Sequence, residues 1–148
     1  MNIRPAELKD SLDILRWRND THTRLMSRNQ QVVAVDEHSQ WYTRLLSNPN
    51  RMLLIGELVN QSLGMVRFDR LENSSQWEIS ITLAPEFRNR GLSKELLEQA
   101  ISYFRSKFNN GEIIAEIKEG NQASRKLFTR VGFNYISRTD EMLCFSFQ

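Results

Sequence analysis

Apolar residues recur along the chain with two different periods, and each change of period marks an element. Leu8, Leu12 and Leu15 follow helical spacing and predict a first helix that ends near Trp17. Ahead of it, residues 2–4 read as a short strand closed by Pro5. Residues 19–35 are polar and basic, with one short helical piece predicted at 21–27. Asp36 is the expected N-cap of the next helix, whose face is His38, Trp41, Tyr42, Leu45 and Leu46. Asn48-Pro49-Asn50 stops it.

The middle of the chain changes to strands. Residues 52–59 form an apolar run ended by Asn60-Gln61, and residues 63–70 are its predicted hairpin partner. Trp77, Ile79, Ile81 and Leu83 then alternate with polar neighbours until Pro85. Leu92, Leu96, Leu97, Ala100, Ile101, Phe104 and Phe108 describe the clearest amphipathic helix. A strand at 113–118 follows. The next helix runs from about Asn121, burying Ser124, Leu127, Phe128 and Val131, and Gly132 is its natural stop. Strands at 133–138 and 142–147 close the chain. The order β-α-α-βββ-α-β-α-ββ predicts one α/β domain over residues 1–148 with a mixed sheet.

Composition narrows the function classes. With 40% apolar and 26% charged residues the chain reads as a soluble globular domain. A net charge of +2 gives no footing for nucleic acid, while a mildly basic surface suits a small anionic ligand. No apolar run reaches the roughly 18 residues of a membrane span, and residues 1–10 are charged where a secretory leader is apolar. Cys144 is the sole cysteine, so neither an internal disulfide nor a thiolate zinc site is expected, and no metal. A reducing, cytoplasmic setting is the expectation.

Candidate chemistry centres on residues 81–93. A strand ends at a proline, a basic turn follows, and Gly91 leads straight into the long helix. First-turn N–H groups of a helix lack intrahelical acceptors, and no capping box stands here to occupy them. Arg88 and Arg90 add full charges to the helix dipole. The expected ligand is a phosphate or pyrophosphate, although the same pattern also describes an ordinary solvated turn.

Arg88-Asn89-Arg90-Gly91-Leu92-Ser93 resembles the Arg/Gln-x-x-Gly-x-Gly/Ala pyrophosphate loop of the GNAT acetyltransferase superfamily. The stretch from Asn121 to Phe133 is similar to that family's Asn-x-x-Ala-x-x-Leu-Tyr-x-x-x-Gly-Phe element. The resemblance implies an acyl-CoA acyltransferase fold, a mostly antiparallel twisted sheet flanked by about four helices, with acetyl-CoA as cosubstrate. It also implies that backbone groups from Ile81 to Leu83 pair with the pantetheine arm. Amides of Arg90, Gly91, Leu92 and Ser93 would hold the pyrophosphate, with Arg88 and Asn89 beside them and Asn121 near the thioester. Ser93 departs from the usual Gly or Ala. Phe128 stands where many members carry a tyrosine that protonates the leaving thiolate.

Two carboxylates are candidate general bases for the acceptor amine. Glu116 lies five residues before Asn121, a spacing similar to that of ribosomal-protein acetyltransferases, and Glu78 lies on the polar face of the strand entering the loop. In the acceptor region, Trp17-Arg18-Asn19, Met26, His38 and Trp41, with the strand around Arg67, resemble the branch acting on UDP-linked 4-amino sugars of pseudaminic-acid biosynthesis. That resemblance implies nucleotide contacts for Arg18 and His38, apolar walls from Met26 and Trp41, and a place for Arg67 among the substrate-binding residues. Trp17 reads as core, Trp41 equally as core or pocket, and Arg16, Arg24 and Arg28 as solvated surface. Arg67 and Asp69 share a strand face and are placed to pair. The expected partner is thus a small-molecule amine, with a homodimer through the last strand left open. A protein N-terminal acetyltransferase and a non-catalytic acyl-CoA-binding module remain as alternatives.

Overall fold

Seven strands form one sheet in the computed structural model, which describes residues 1–148. They are β1 (Asn2–Pro5), β2 (Arg51–Leu58), β3 (Gln61–Arg70), β4 (Trp77–Leu83), β5 (Ile113–Lys118), β6 (Asn134–Thr139) and β7 (Met142–Phe147). Five helices accompany them: α1 (Ser11–Asn19), α2 (Thr21–Leu25), α3 (Val35–Leu46), α4 (Ser93–Lys107) and α5 (Gln122–Val131). The sheet order is β1-β2-β3-β4-β5-β7-β6. Every neighbouring pair is antiparallel except β4–β5.

Strand alternation sorts the side chains into two faces. On one face Leu54, Val66, Phe68, Ile79, Ile113, Ala115 and Phe145 are buried beneath α4, which contributes Leu96, Leu97, Ala100, Ile101 and Phe104. Phe68 and Phe104 stack at 4.2 Å, and Trp77 meets Phe104 edge-on at 5.1 Å. Register puts Arg51, Asp69 and Glu78 in one cross-strand row on the opposite face, with Arg67 and Ser80 in the next. That face is polar at its centre, where α1 and α3 lean over it through Ile14, Trp17, Tyr42 and Leu45. An internal polar sheet face is costly unless it serves a ligand or is paired. Here Arg51 and Arg67 pair with Asp69, and Glu78 pairs with Arg28.

Several boundaries differ from expectation for identifiable reasons. The first helix does not run continuously from Leu8, because a 3-10 turn (Leu8–Asp10) precedes α1. Asp10 is 4% exposed, accepts from the Glu7 N–H, and receives both Nη atoms of Arg4 at 2.8 Å. That pairing fixes the chain's entry to α1. Leu8 and Leu12 are therefore exposed, and the face α1 buries is Ile14, Leu15 and Trp17. Trp17 is core, as its spacing suggests.

The N-cap of α3 is Ala34, not Asp36; Asp36 sits in the first turn, where the helix dipole favours a carboxylate. The α5 boundaries follow expectation more closely. Asn121 caps its start and Gly132, at φ 116°, ends it in the left-handed region. Of the four residues expected to be buried there, only Phe128 is fully so; Ser124, Leu127 and Val131 are half-buried.

Candidate active site

The turn between β4 and α4 has unpaired donors. No main-chain N–H from residue 89 to residue 95 donates to a protein acceptor, and the first bond of α4 runs from Leu96 N–H to Leu92 O at 3.1 Å. Leu92 occupies the N-cap and makes no side-chain cap. Asn89 (φ 60°) and Gly91 (φ 73°) both lie in the left-handed region, so successive N–H groups turn toward a common concavity. A Cβ built on Gly91 meets nothing within 4 Å, so the glycine serves the backbone angle and leaves its outer side open. This donor set fits a diphosphate. The guanidinium of Arg90 lies 5.1 Å from the Phe87 ring centre. Arg88 turns the other way: its Nη2 contacts Asp20 Oδ2 at 2.5 Å and Thr23 Oγ1 at 3.0 Å.

Beside this turn the sheet opens. β4 and β5 pair in parallel only at Trp77–Ile113 and Glu78–Ile114, and then diverge. Ile81, Thr82 and Leu83 keep their pairing to β3 while their other edge faces the split. An extended amide-bearing chain adds naturally to such an edge.

The two candidate carboxylates stand on the polar face at this split. Glu78 is paired to Arg28 Nη2 at 2.6 Å. Glu116 lies opposite Cys144 on β7. Burial raises the Glu116 carboxyl above its ordinary range, the Glu78 charge adds to this, and Arg28 and the Cys144 hydrogen bond partly oppose it. The Cys144 thiol is itself pushed up by burial and by Glu116. Glu116 thus has the raised proton affinity a general base requires. Arg28 is solvent-exposed, as expected, while it makes this pair. Arg16 and Arg24 are also engaged, with Glu86 (3.1 Å) and with Asn19 O and Gln30 O.

A second, basic cluster occupies the same face over β2 and β3. The Arg18 guanidinium stacks on Trp41 at 4.1 Å, and those of Arg67 and Arg51 lie 5.6 and 5.7 Å from the same ring. Asp69 pairs with two of them, 2.8 Å from Arg51 Nε and 2.9 Å from Arg67 Nε. The Arg67 Nε–H is not aimed at that carboxylate, so this contact is an ion pair without a hydrogen bond. Burial and the charges of Arg67 and Arg51 lower the Arg18 pKa, with Glu37 opposing. Three guanidinium groups around one indole, paired to Asp69 and offset at Arg18 by Glu37, suit a flat anionic ligand.

His38 takes a different part from the one its position implies. It is 1% exposed, and both ring nitrogens are used: Nε2 meets Ser11 O at 2.9 Å and Nδ1 meets Arg18 Nη1 at 3.0 Å. A carbonyl needs a donor, so Nε2 carries the proton and Nδ1 accepts from Arg18. Burial lowers the His38 pKa, which keeps this neutral form, and the ring stacks on Tyr42. It therefore cannot reach a ligand and instead holds Arg18. Met26 is half-buried at the C-terminal end of α2.

Asn121 Oδ1 is occupied by the Ser124 N–H at 3.2 Å, leaving its amide nitrogen for a ligand. Phe128 is 3% exposed and packs edge-on against Phe133 at 4.9 Å. It belongs to the core rather than to a cofactor surface.

From sequence alone Arg51 and Asp20 carry no assigned role, and Arg28 reads only as solvated surface. Arg51 lay at a strand boundary with no periodic signal. Arg28 and Asp20 make their contacts across 50 and 68 residues. The alternation of β2 and β3 is the one signal that pairs Arg51 with Asp69.

Comparison with known proteins is consistent with this geometry. A family model described as an acetyltransferase (GNAT) domain matches residues 1–134. The N-acetyltransferase 9-like protein of Nematostella vectensis is 41% identical over 64 residues, spanning 43% of this chain and 32% of that relative. The chain thus matches about a third of that protein's length. Among solved structures, the spermidine N-acetyltransferase from Vibrio cholerae in complex with CoA and spermine superposes with a TM-score of 0.85 at 16% identity, over 98% of this chain and 92% of that one. The ribosomal-protein-alanine N-acetyltransferase from Brucella melitensis gives 0.84 at 22% identity, over 99% of each. The putative acetyltransferase yncA from Salmonella typhimurium, with its cofactor acetyl-CoA, gives 0.81 at 21%, over 99% of this chain and 92% of that one. At these identities the likeness is one of fold.

Proposed function

The chain belongs to the acetyltransferase (GNAT) domain family, and on that premise we propose that it moves the acetyl group of acetyl-CoA to the amine of a UDP-linked 4-amino-dideoxy sugar. Such sugars are precursors of pseudaminic-acid-like surface glycans. The observation that carries the acceptor reading is the polarity of one sheet face. Arg18, Arg51 and Arg67 surround Trp41 at the β2–β3 side, while Glu78 and Glu116 stand at the β4–β5 split. An acceptor anionic and aromatic at one end and aminated at the other matches both clusters. A polyamine, cationic throughout, would face three arginines.

Acetyl-CoA supplies the activated thioester. The free N–H groups of residues 89–95 bind its diphosphate, and the open edge of β4 at Ile81 and Leu83 orients its arm. Trp41 stacks the acceptor's base, and the arginines fix its phosphates. His38 keeps Arg18 in place. Glu116 removes the ammonium proton, directly or through one water. An amine with a pKa of about 8 is roughly one-tenth neutral at pH 7, so a base of modest strength suffices. Phe128 offers no acid, and a thiol of pKa about 8.5 leaves as its thiolate without one.

Incubation with acetyl-CoA and a panel of UDP-4-amino sugars tests the reading by release of free thiol. Turnover with at least one sugar is expected. Thiol release with spermidine or an N-terminal alanine peptide, and none with any sugar, would replace this acceptor. CoA binding without turnover on any amine would make the chain a binding module.

A further inference from the structure

The segment between α1 and α3 is laced to the split in the sheet. Asn19 ties its ends, accepting from Val33 N–H at 2.7 Å and donating to Val33 O at 2.9 Å. Lys118 Nζ, on β5, reaches Leu25 O at 3.0 Å. From the same segment Arg28 extends to Glu78 on β4. The segment therefore spans the opening between β4 and β5, with a guanidinium lodged against one carboxylate and within electrostatic reach of the other.

A guanidinium in that place is a cation facing two carboxylates, the same environment that an incoming ammonium needs. We infer that Arg28 is a stand-in for the acceptor's ammonium: it occupies the carboxylate pair in the free enzyme and is displaced when the acceptor binds. The inference rests on the reading of Glu78 and Glu116 as the carboxylates that meet the acceptor's ammonium, with Glu116 its base. Exchange is feasible because the Arg28 side chain is 63% exposed, and ion pairs at such exposure are weak. An amine tethered through a nucleotide anchored at Trp41 arrives at high effective concentration. No covalent change accompanies the exchange; one cation leaves and another takes its place. The device also keeps Glu116 ionisable in the free enzyme. The charged or titratable groups facing Glu116 are Glu78 from β4, Cys144 from β7, Lys118 along β5 and Arg28 from the loop.

Three proteins test this: wild type, Arg28→Gln and Arg28→Lys. In the acceptor-free state, 13C-carboxyl NMR follows the titration of Glu116. Arg28→Gln is expected to move its midpoint to higher pH, and Arg28→Lys to leave it near wild type. With a UDP-4-amino sugar as probe, Arg28→Gln is expected to lower the acceptor KM about two- to fivefold, the range open to an exposed ion pair. The acidic limb of kcat/KM, which reports the free enzyme, moves to higher pH while that of kcat stays. A residue with only a structural role moves neither limb. A raised acceptor KM would make Arg28 a binding residue, and an unmoved Glu116 midpoint would uncouple it from the pair; either result overturns the inference. If wild type turns over no sugar, the acceptor reading fails, and the Glu116 titration still decides the role of Arg28.

Discussion

Arg88 Nη2 and Asp20 Oδ2 stand 2.5 Å apart, joining the turn ahead of α4 to the start of α2 across 68 residues of chain. The same oxygen accepts the Thr23 N–H at 3.1 Å, so one carboxylate both caps a helix and holds an arginine of the turn between β4 and α4. The turn proposed to hold the cofactor and the segment proposed to meet the acceptor therefore restrain each other through one contact.

Asp20 makes stability depend on acid in a definite direction. Burial opposes its ionisation, but the Arg88 and Thr23 hydrogen bonds outweigh it, and the folded pKa lies below the ordinary carboxylate value. Stability from this pair is fully present above about pH 4 and is lost as pH falls through the folded pKa. Asp20→Asn is expected to cost about 1 kcal/mol at pH 7, measured by urea unfolding. The gap from wild type should close in strong acid. An equal gap at neutral and acid pH would show that the charge is not what matters.

Gly91→Ala separates folding from binding. The backbone angle of 73° costs an alanine about 1 kcal/mol, and its methyl meets no protein atom. An alanine instead disfavours the left-handed angle that turns the neighbouring N–H groups into the concavity. Thermal unfolding should change little, while calorimetry should give CoA a Kd weaker by roughly tenfold or more, because a preorganised anion site loses its close approach.

At the basic cluster, Arg51→Ala should weaken inhibition by UDP about tenfold, the effect of one charge-assisted hydrogen bond. The acetyl-CoA KM should stay at its wild-type value. Competition assays against both substrates read the two effects separately. A change confined to acetyl-CoA would assign Arg51 to the wrong ligand.

Restoring the family's tyrosine should not help catalysis. Phe128 is closed into the core against Phe133, so the hydroxyl of Phe128→Tyr is buried among apolar neighbours. A loss of about 1–3 kcal/mol in urea unfolding is expected, with no gain in kcat. A faster variant would place position 128 in the reacting centre after all.

How far the sequence led depends on the range of the signal. The alternation from Trp77 to Leu83, the apolar stripe of α4 and the Gly132 stop are local patterns, and the structure has them within a residue or two. The uncapped turn ahead of α4 was equally legible, because its missing cap and its glycine lie within six consecutive residues. The α1 face misled: Leu8 and Leu12 kept helical spacing, yet the Arg4–Asp10 pair turns them to solvent. The basic cluster around Trp41 was legible as residue types only. Trp41, Arg18 and Arg67 were recognisable as candidates, but the convergence of Arg51 on them depends on strand register. The pairing of Arg28 with Glu78 depends on the course of a loop without periodicity. His38 is the plainest case, since its partners Ser11 and Arg18 lie 27 and 20 residues away and decide both its tautomer and its role.

The most direct test is an amide NMR titration of the 15N-labelled protein with CoA. Donors that hold a diphosphate change their hydrogen-bond state, so the N–H signals of residues 89–95 should shift together and saturate with a single Kd. Saturating shifts that leave those seven amides unmoved, with the changes grouped elsewhere on the fold, would contradict the assignment of this turn as the cofactor site.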